Sequence, residues 1–141
     1  MNAITNSRGL TIGALSRLTG VNIETVRYYE KINLIRPPPR TRGGHRSYGQ
    51  EHVERLRFIR RSRDLGFAIE GIRALLALSA GGADYCAQAR EIAAAHLADV
   101  RAKREDLAKL EAILSETIAQ CDSRCCEGIA PACPVLEILE S

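Results

Sequence analysis

Residues 10–35 read LTIGALSRLTGVNIETVRYYEKINLI, and the fold is decided there. Ile12, Leu15 and Leu18 recur at a spacing of three, which predicts a short amphipathic helix. Thr11 can cap its start, and Gly20 can end it in a left-handed conformation. Val21 and Asn22 then form a turn, with Asn22 as N-cap of a second helix, Ile23 to Lys31. Helix, tight turn, helix is the geometry that lets the second helix enter a DNA major groove. That helix carries Arg27, Tyr28 and Tyr29. An arginine can fork onto a guanine edge or grip a phosphate, and a tyrosine hydroxyl can bond a phosphate oxygen. Tyr28 and Val26 could equally be core residues. Neighbours on a helix face different ways, and the pattern favours Tyr29 outward and Val26 inward.

Outward from this stretch, Pro37-Pro38-Pro39 forbids helix, and RTRGGHRSY follows at 40–48. Gly43-Gly44 suits a tight hairpin turn, with Arg40, Arg42, Arg46 and Tyr48 on its two short arms. A basic hairpin beside a helix-turn-helix reads as a wing on the phosphate backbone. Glu51 to Asp64 is expected to be a third helix, with Val53, Leu56, Ile59 and also Phe58 as candidates for its inner face. Its outer face holds Arg55, Arg57, Arg60, Arg61 and Arg63, and Gly66 ends it. Phe67 to Ala80 is a fourth, with Ile69, Ile72, Leu75 and Leu76 apolar, and Gly81-Gly82 closes the module. From Ala83 to Glu127 there is no Gly or Pro, which predicts one long helix through about Ala119. Val100, Leu107 and Leu114 lie seven apart with Leu110 between them, and Leu97, Ile113 and Ile118 widen the stripe. This is a modest coiled-coil pattern that needs a partner, most simply a second copy.

The net charge of +3 hides an asymmetry. Residues 1–75 carry 14 Lys or Arg against 6 Asp or Glu, whereas residues 76–141 carry 6 against 11. A basic half joined to an acidic one points to a polyanionic partner for the first. No apolar run is long enough to span a membrane, and the N-terminus lacks the apolar core of a signal peptide. The chain is therefore expected to be cytoplasmic, with reduced thiols. His45 belongs to the wing, while His52 and His96 stand isolated on helices with no nucleophile or phosphate loop beside them. No enzyme chemistry is expected.

Five cysteines in a reducing compartment suggest metal or redox chemistry. Cys86 opens the long helix and Cys121 closes it, 35 residues or five heptads later. On one helix they share a face but lie roughly 50 Å apart at 1.5 Å per residue. An antiparallel pair of helices would bring Cys86 of one chain beside Cys121 of the other, coupling metal binding to dimerisation. CDSRCCEGIAPAC at 121–133 adds Cys125, Cys126 and Cys133, in a segment that Gly128, Pro131 and Pro134 mark as a loop. Thiolates select zinc, cadmium, lead, mercury or copper(I). Arg124 nearby favours ionised thiols. A permanent structural zinc or buried inert thiols would fit the same cysteine count.

Together these residues resemble the MerR family of transcription activators over nearly the whole chain. The segment quoted first resembles the family's helix-turn-helix. RTRGGHRSYGQEHVERLRFIRRSRDLGFAIEGIRALL, 40–76, resembles its wing and second helical pair. The Cys86–Cys121 interval and the ending CPVLEIL resemble its metal-sensing branch. The resemblance implies a mainly α fold: an N-terminal tail (1–9), a winged helix-turn-helix domain (10–80), a long antiparallel coiled-coil dimerisation helix (83–120), and a Cys-rich metal loop with a short C-terminal helix (121–141). It implies a homodimer on promoter DNA that bends and untwists an overlong spacer when metal binds, so that RNA polymerase can engage. Arg27 and Tyr29 would contact DNA, and Arg46, Tyr48 and Arg63 would hold phosphates. Arg17, Tyr28 and Arg42 complete the candidate DNA set. A Cys at position 86 implies a divalent ion, zinc, cadmium, lead or mercury, with Cys86, Cys121 and Cys133 as ligands. The sequence departs from the family pattern in the extra Cys125-Cys126 pair, one of which could replace or join Cys121 as ligand, or hold a second ion. It also departs in His45, where the wing often has Tyr. A thiol-redox regulator, and a regulator with only a structural metal, are the alternatives.

Overall fold

The computed structural model describes residues 9–79, 81–125 and 133–141, and of Cys125 the backbone alone. The helices are α1 (Ile12–Thr19), α2 (Ile23–Lys31), α3 (Gln50–Asp64), α4 (Ile69–Leu78), α5 (Tyr85–Cys125) and α6 (Pro134–Glu140). Two compact units divide the chain, residues 1–92 and 93–141.

In the first unit the expected caps form. Thr11 Oγ1 accepts from the Ala14 N–H at 3.2 Å. Gly20 closes α1 at φ 70°, its N–H bonded to the Ser16 carbonyl. Asn22 Oδ1 accepts from Glu24 N–H at 2.9 Å and starts α2. Helix α1 packs on α2 and α3, and α3 on α4. Leu15, Val26, Leu34, Ile35, Tyr48, Val53, Leu56, Ile59 and Ile72 form the fully buried centre. Each aliphatic side chain buried there contributes about 1.5–3 kcal/mol of hydrophobic stabilisation.

Three orientations and one helix boundary differ from expectation. The inner face of α1 is Leu15 and Thr19, one turn apart, with the Thr19 hydroxyl bonded to the Leu15 carbonyl, and Leu18 is half exposed. On α2 the register is turned so that Tyr29 packs inward beside Val26 while Tyr28 faces out, 51% exposed. Phe58 is largely outside the α3 core line, 39% exposed. Phe67 precedes α4 instead of opening it, packing on the core with its N–H bonded to the Ser62 carbonyl.

Three arginines reach across the domain to carbonyls that helices and turns leave without partners. Arg60 donates to Thr19 O at the end of α1 at 2.9 Å. Arg73 donates to Ile32 O at 2.9 Å and Asn33 O at 3.4 Å, just past α2. Arg55 donates to Leu34 O at 2.9 Å. Cations at helix C-termini satisfy orphan acceptors and oppose the helix dipole. His52 is buried and structural: its Nδ1 accepts from Gly49 N–H, and its Nε2 lies 3.0 Å from Arg36 O.

The wing forms from paired backbone without extended strands. Leu10 and Tyr48 exchange hydrogen bonds of 2.7 and 2.9 Å, Arg40 faces Arg46, and Thr41 N–H meets His45 O at 2.8 Å. Of the two glycines in its turn only Gly44 takes a positive φ, 75°.

Helix α5 runs six residues beyond its expected end, so Cys121 lies inside the helix and not at its close. Along it Leu97, Val100, Leu107, Leu110, Ile113, Leu114 and Ile118 are all 44–66% exposed in the single chain. Pro134 stands at the first turn of α6, where its missing N–H costs nothing. Cys126 and the loop to residue 132 lie outside the described residues.

Candidate DNA interface and thiol pair

The DNA-binding candidates gather where α2 meets the wing. One cleft is lined by Thr11, Ile12, Arg27, Gly44, His45 and Arg46. A second, sharing Arg27 and Arg46, is lined by Glu30, Lys31 and Pro37. Recognition helix and wing thus present their cations to one notch. Arg27 pairs with Glu24 at 3.1 Å, but both side chains are more than half exposed. Such a pair is worth at most about 1 kcal/mol and is easily given up to a phosphate. Arg17 and Arg42 are exposed and form no ion pair among the described residues. Arg63 is turned toward its own helix end, donating to Phe67 O at 3.0 Å.

Tyr48 cannot take the role expected of it. Its side chain is fully buried and its hydroxyl donates to Glu30 Oε1. Burial pushes the Tyr48 hydroxyl pKa up, and the bond to Glu30 adds to that. Tyr29 is likewise 7% exposed, its pKa raised by burial and partly lowered again by Arg63. Both rings support the interface from within. Arg46 is present at the notch but already engaged, its Nη1 lying 2.6 Å from Glu30 Oε2. The Tyr48 hydroxyl and the Glu30 carboxylate both raise its pKa. Glu30 is the residue that sequence reasoning missed. Its one signal was position: it lies one turn after Val26, on the inward face, where a carboxylate needs partners. Lys31 was also passed over.

At the other end of the chain, the Cys121 and Cys133 thiols lie within hydrogen-bonding reach of each other. Cys133 is the N-cap residue of α6 but forms no side-chain cap bond. The free N–H groups of Leu136 and Val135 nonetheless favour negative charge on its sulfur, and Cys121 adds to them, so its pKa falls below the ordinary thiol value. Cys86 is exposed in the first turn of α5, and among the described residues Cys86, Cys121 and Cys133 form no disulfide. Among the described residues no three His, Cys, Asp or Glu side chains converge as a metal-holding group. Two neighbouring thiols, one with its pKa lowered, fit part of a soft-metal donor set and among the described residues leave it incomplete. Among the described residues, no helix is long and apolar enough to cross a membrane.

Residues 10–79 match the family described as MerR HTH family regulatory protein, and residues 53–117 match MerR, DNA binding. The mercuric resistance operon regulatory protein of Pseudomonas fluorescens is 38% identical over 135 residues, 96% of this chain and 90% of that protein. The chain belongs to the MerR family. Among solved structures, the transcription regulator PbrR691 from Ralstonia metallidurans CH34 in complex with lead(II) superposes with a TM-score of 0.74. It is 34% identical and covers 92% of this chain and 98% of its own. The mercury(II) complex of the dual-function MerR of Bacillus megaterium MB1 gives 0.65 at 28% identity, over 94% of this chain and all of that one. As a MerR protein the chain is a DNA-binding transcription regulator. Its notch of Arg27, Lys31, His45 and Arg46 lies within the matched segment.

Proposed function

We propose that this chain is a homodimeric activator that switches a promoter on when a thiophilic divalent ion binds. The observation that carries the reading is the Cys121–Cys133 pair, with Cys133 biased toward thiolate. Cys86 stands five heptads from Cys121 on the same α5, too far along one helix to join them at about 1.5 Å per residue. In an antiparallel dimer, Cys86 of the partner subunit completes the set, and two equivalent sites result. A bound ion supplies a crosslink between the subunits. The chain's own residues do the rest: α5 pairs through its apolar stripe, and the notch holds DNA phosphates while the spacer is bent and untwisted for RNA polymerase. The relatives named for mercury and lead, the wider set of heavy-metal regulators, and the soft donor set support mercury, lead, cadmium or zinc as inducer.

The test is Cys86→Ser in a promoter-reporter strain challenged with mercury, lead, cadmium and zinc salts. Induction by every metal should vanish while operator binding by purified protein stays within about twofold of wild type. Full induction in that variant would overturn the shared site. The closeness of Cys121 and Cys133 also suits a dithiol–disulfide switch. That reading predicts a response to diamide which Cys86→Ser leaves intact.

A further inference from the structure

Glu30 lies at the C-terminal end of the recognition helix, and only 8% of it is exposed. Its two carboxylate oxygens are divided between two wing residues. Oε1 accepts from Tyr48 and Oε2 from Arg46. Arg46 and Tyr48 are two apart on one arm of the wing, and both side chains meet the same carboxylate. The arm is anchored at Tyr48 by its paired backbone bonds to Leu10. Tyr48 belongs to the buried core, while the Arg46 side chain remains 41% exposed at the notch. Nη1 of Arg46 is spent on Glu30, and a guanidinium carries four further N–H donors for an incoming phosphate. A free arginine on a wing would sample many rotamers, at a cost of ordering when DNA binds.

We propose that Glu30 is a positioning residue for DNA binding: it fixes the wing's Arg46 in register with Arg27 on the recognition helix, so that two guanidiniums grip the backbone as one clamp. The proposal rests on the DNA-binding reading of the notch. It assigns Glu30, an acidic residue beside a polyanion, a favourable role. Simple charge counting assigns it a repulsive one.

The test uses the full-length protein and a duplex that the wild type selects in vitro from a random pool, with affinity measured by fluorescence anisotropy across a salt series. Arg46→Gln should lose about tenfold in affinity and flatten the salt slope by about one, as expected for one phosphate contact. Glu30→Gln keeps the shape and an acceptor for Tyr48 but releases Arg46. It should lose several-fold in affinity with a similar flattening, and the double variant should bind no worse than Arg46→Gln. A residue that served only to stabilise the fold would lower the unfolding midpoint and leave the salt slope alone. Should Glu30→Gln not fold, Arg46→Lys carries the test: it keeps the charge but not the fork, and should bind about as weakly as Arg46→Gln. Multiplying losses in the double variant, wild-type or tighter binding by Glu30→Gln, or wild-type binding by Arg46→Lys would overturn the positioning role. Wild-type binding by Arg46→Gln would overturn it through the clamp itself. A wild-type protein that selects no duplex at all would instead sink the reading on which the clamp rests.

Discussion

A hydroxyl buried against a carboxylate is a heavier commitment than one facing solvent, and Tyr48 shows how much weight one atom carries. Its bond to Glu30 is charge-assisted, and such bonds contribute about 1.5–3 kcal/mol. Tyr48→Phe should therefore lower the free energy of urea unfolding by about 2 kcal/mol, at fixed protein concentration. A loss within error of zero would mean that Glu30 is satisfied without it. Tyr48 and Tyr29 both have pKa values raised from 10.0, chiefly by burial. For a group whose folded pKa is raised, the stabilisation is complete below the unfolded value and is lost as pH climbs through the folded one. The first unit should thus hold its stability to about pH 10 and weaken above it. An absorbance titration of tyrosinate run beside circular dichroism checks this, since late ionisation should coincide with loss of helix. These two tyrosines were also where sequence reasoning was weakest. The family resemblance attached a role to each position, but it could not say which way a ring points.

Local signals fixed the short elements well. The bounds of α1 and α2 follow from Thr11, Gly20 and Asn22, whose effects are confined to a turn of chain. The facing of α2 was harder to read, because nine residues with adjacent tyrosines satisfy the helical period in two ways. Of Glu30 only the inward position was legible, since its partners are 16 and 18 residues away. The overshoot of α5 has a plain cause. Cys, Asp and Ser at 121–123 are poor helix formers but cost only a few tenths of a kcal/mol each, about 0.7 at most, too little to stop a helix already propagating. The thiol pair was half legible: the sequence supplied the cysteines, but the continued helix and α6 are what set Cys121 beside Cys133. Element ends also make a sharp test. At Gly20 a Cβ would meet a left-handed backbone and lie 1.9 Å from Arg60 Nη1. Gly20→Ala should cost about 1–2 kcal/mol for the backbone alone, more if Arg60 must release Thr19 O. Gly82→Ala, with open space around it, should be neutral within about 0.5 kcal/mol when both variants are compared by thermal melts.

For the chain as a whole, the apolar stripe on α5 is the largest debt to be settled. Seven large side chains left half bare on one helix call for a second copy. Sedimentation equilibrium should return twice the 15.5 kDa chain mass at micromolar concentration, and Leu107→Glu should shift it toward the monomer. A variant that stays fully dimeric would place the seam elsewhere. The long-range charge split was plain from composition, but the duties of individual arginines were not. Arg55, Arg60 and Arg73 act as latches, each tying a distant stretch of backbone to α3 or α4. Their consequence is practical. Anyone wishing to blunt the protein's hold on nucleic acid without loosening its scaffold can begin with Arg17, Arg27 and Arg42, which are exposed and tie down no distant backbone. The other three, though they swell the same tally of positive charge, are carpentry and should be left in place.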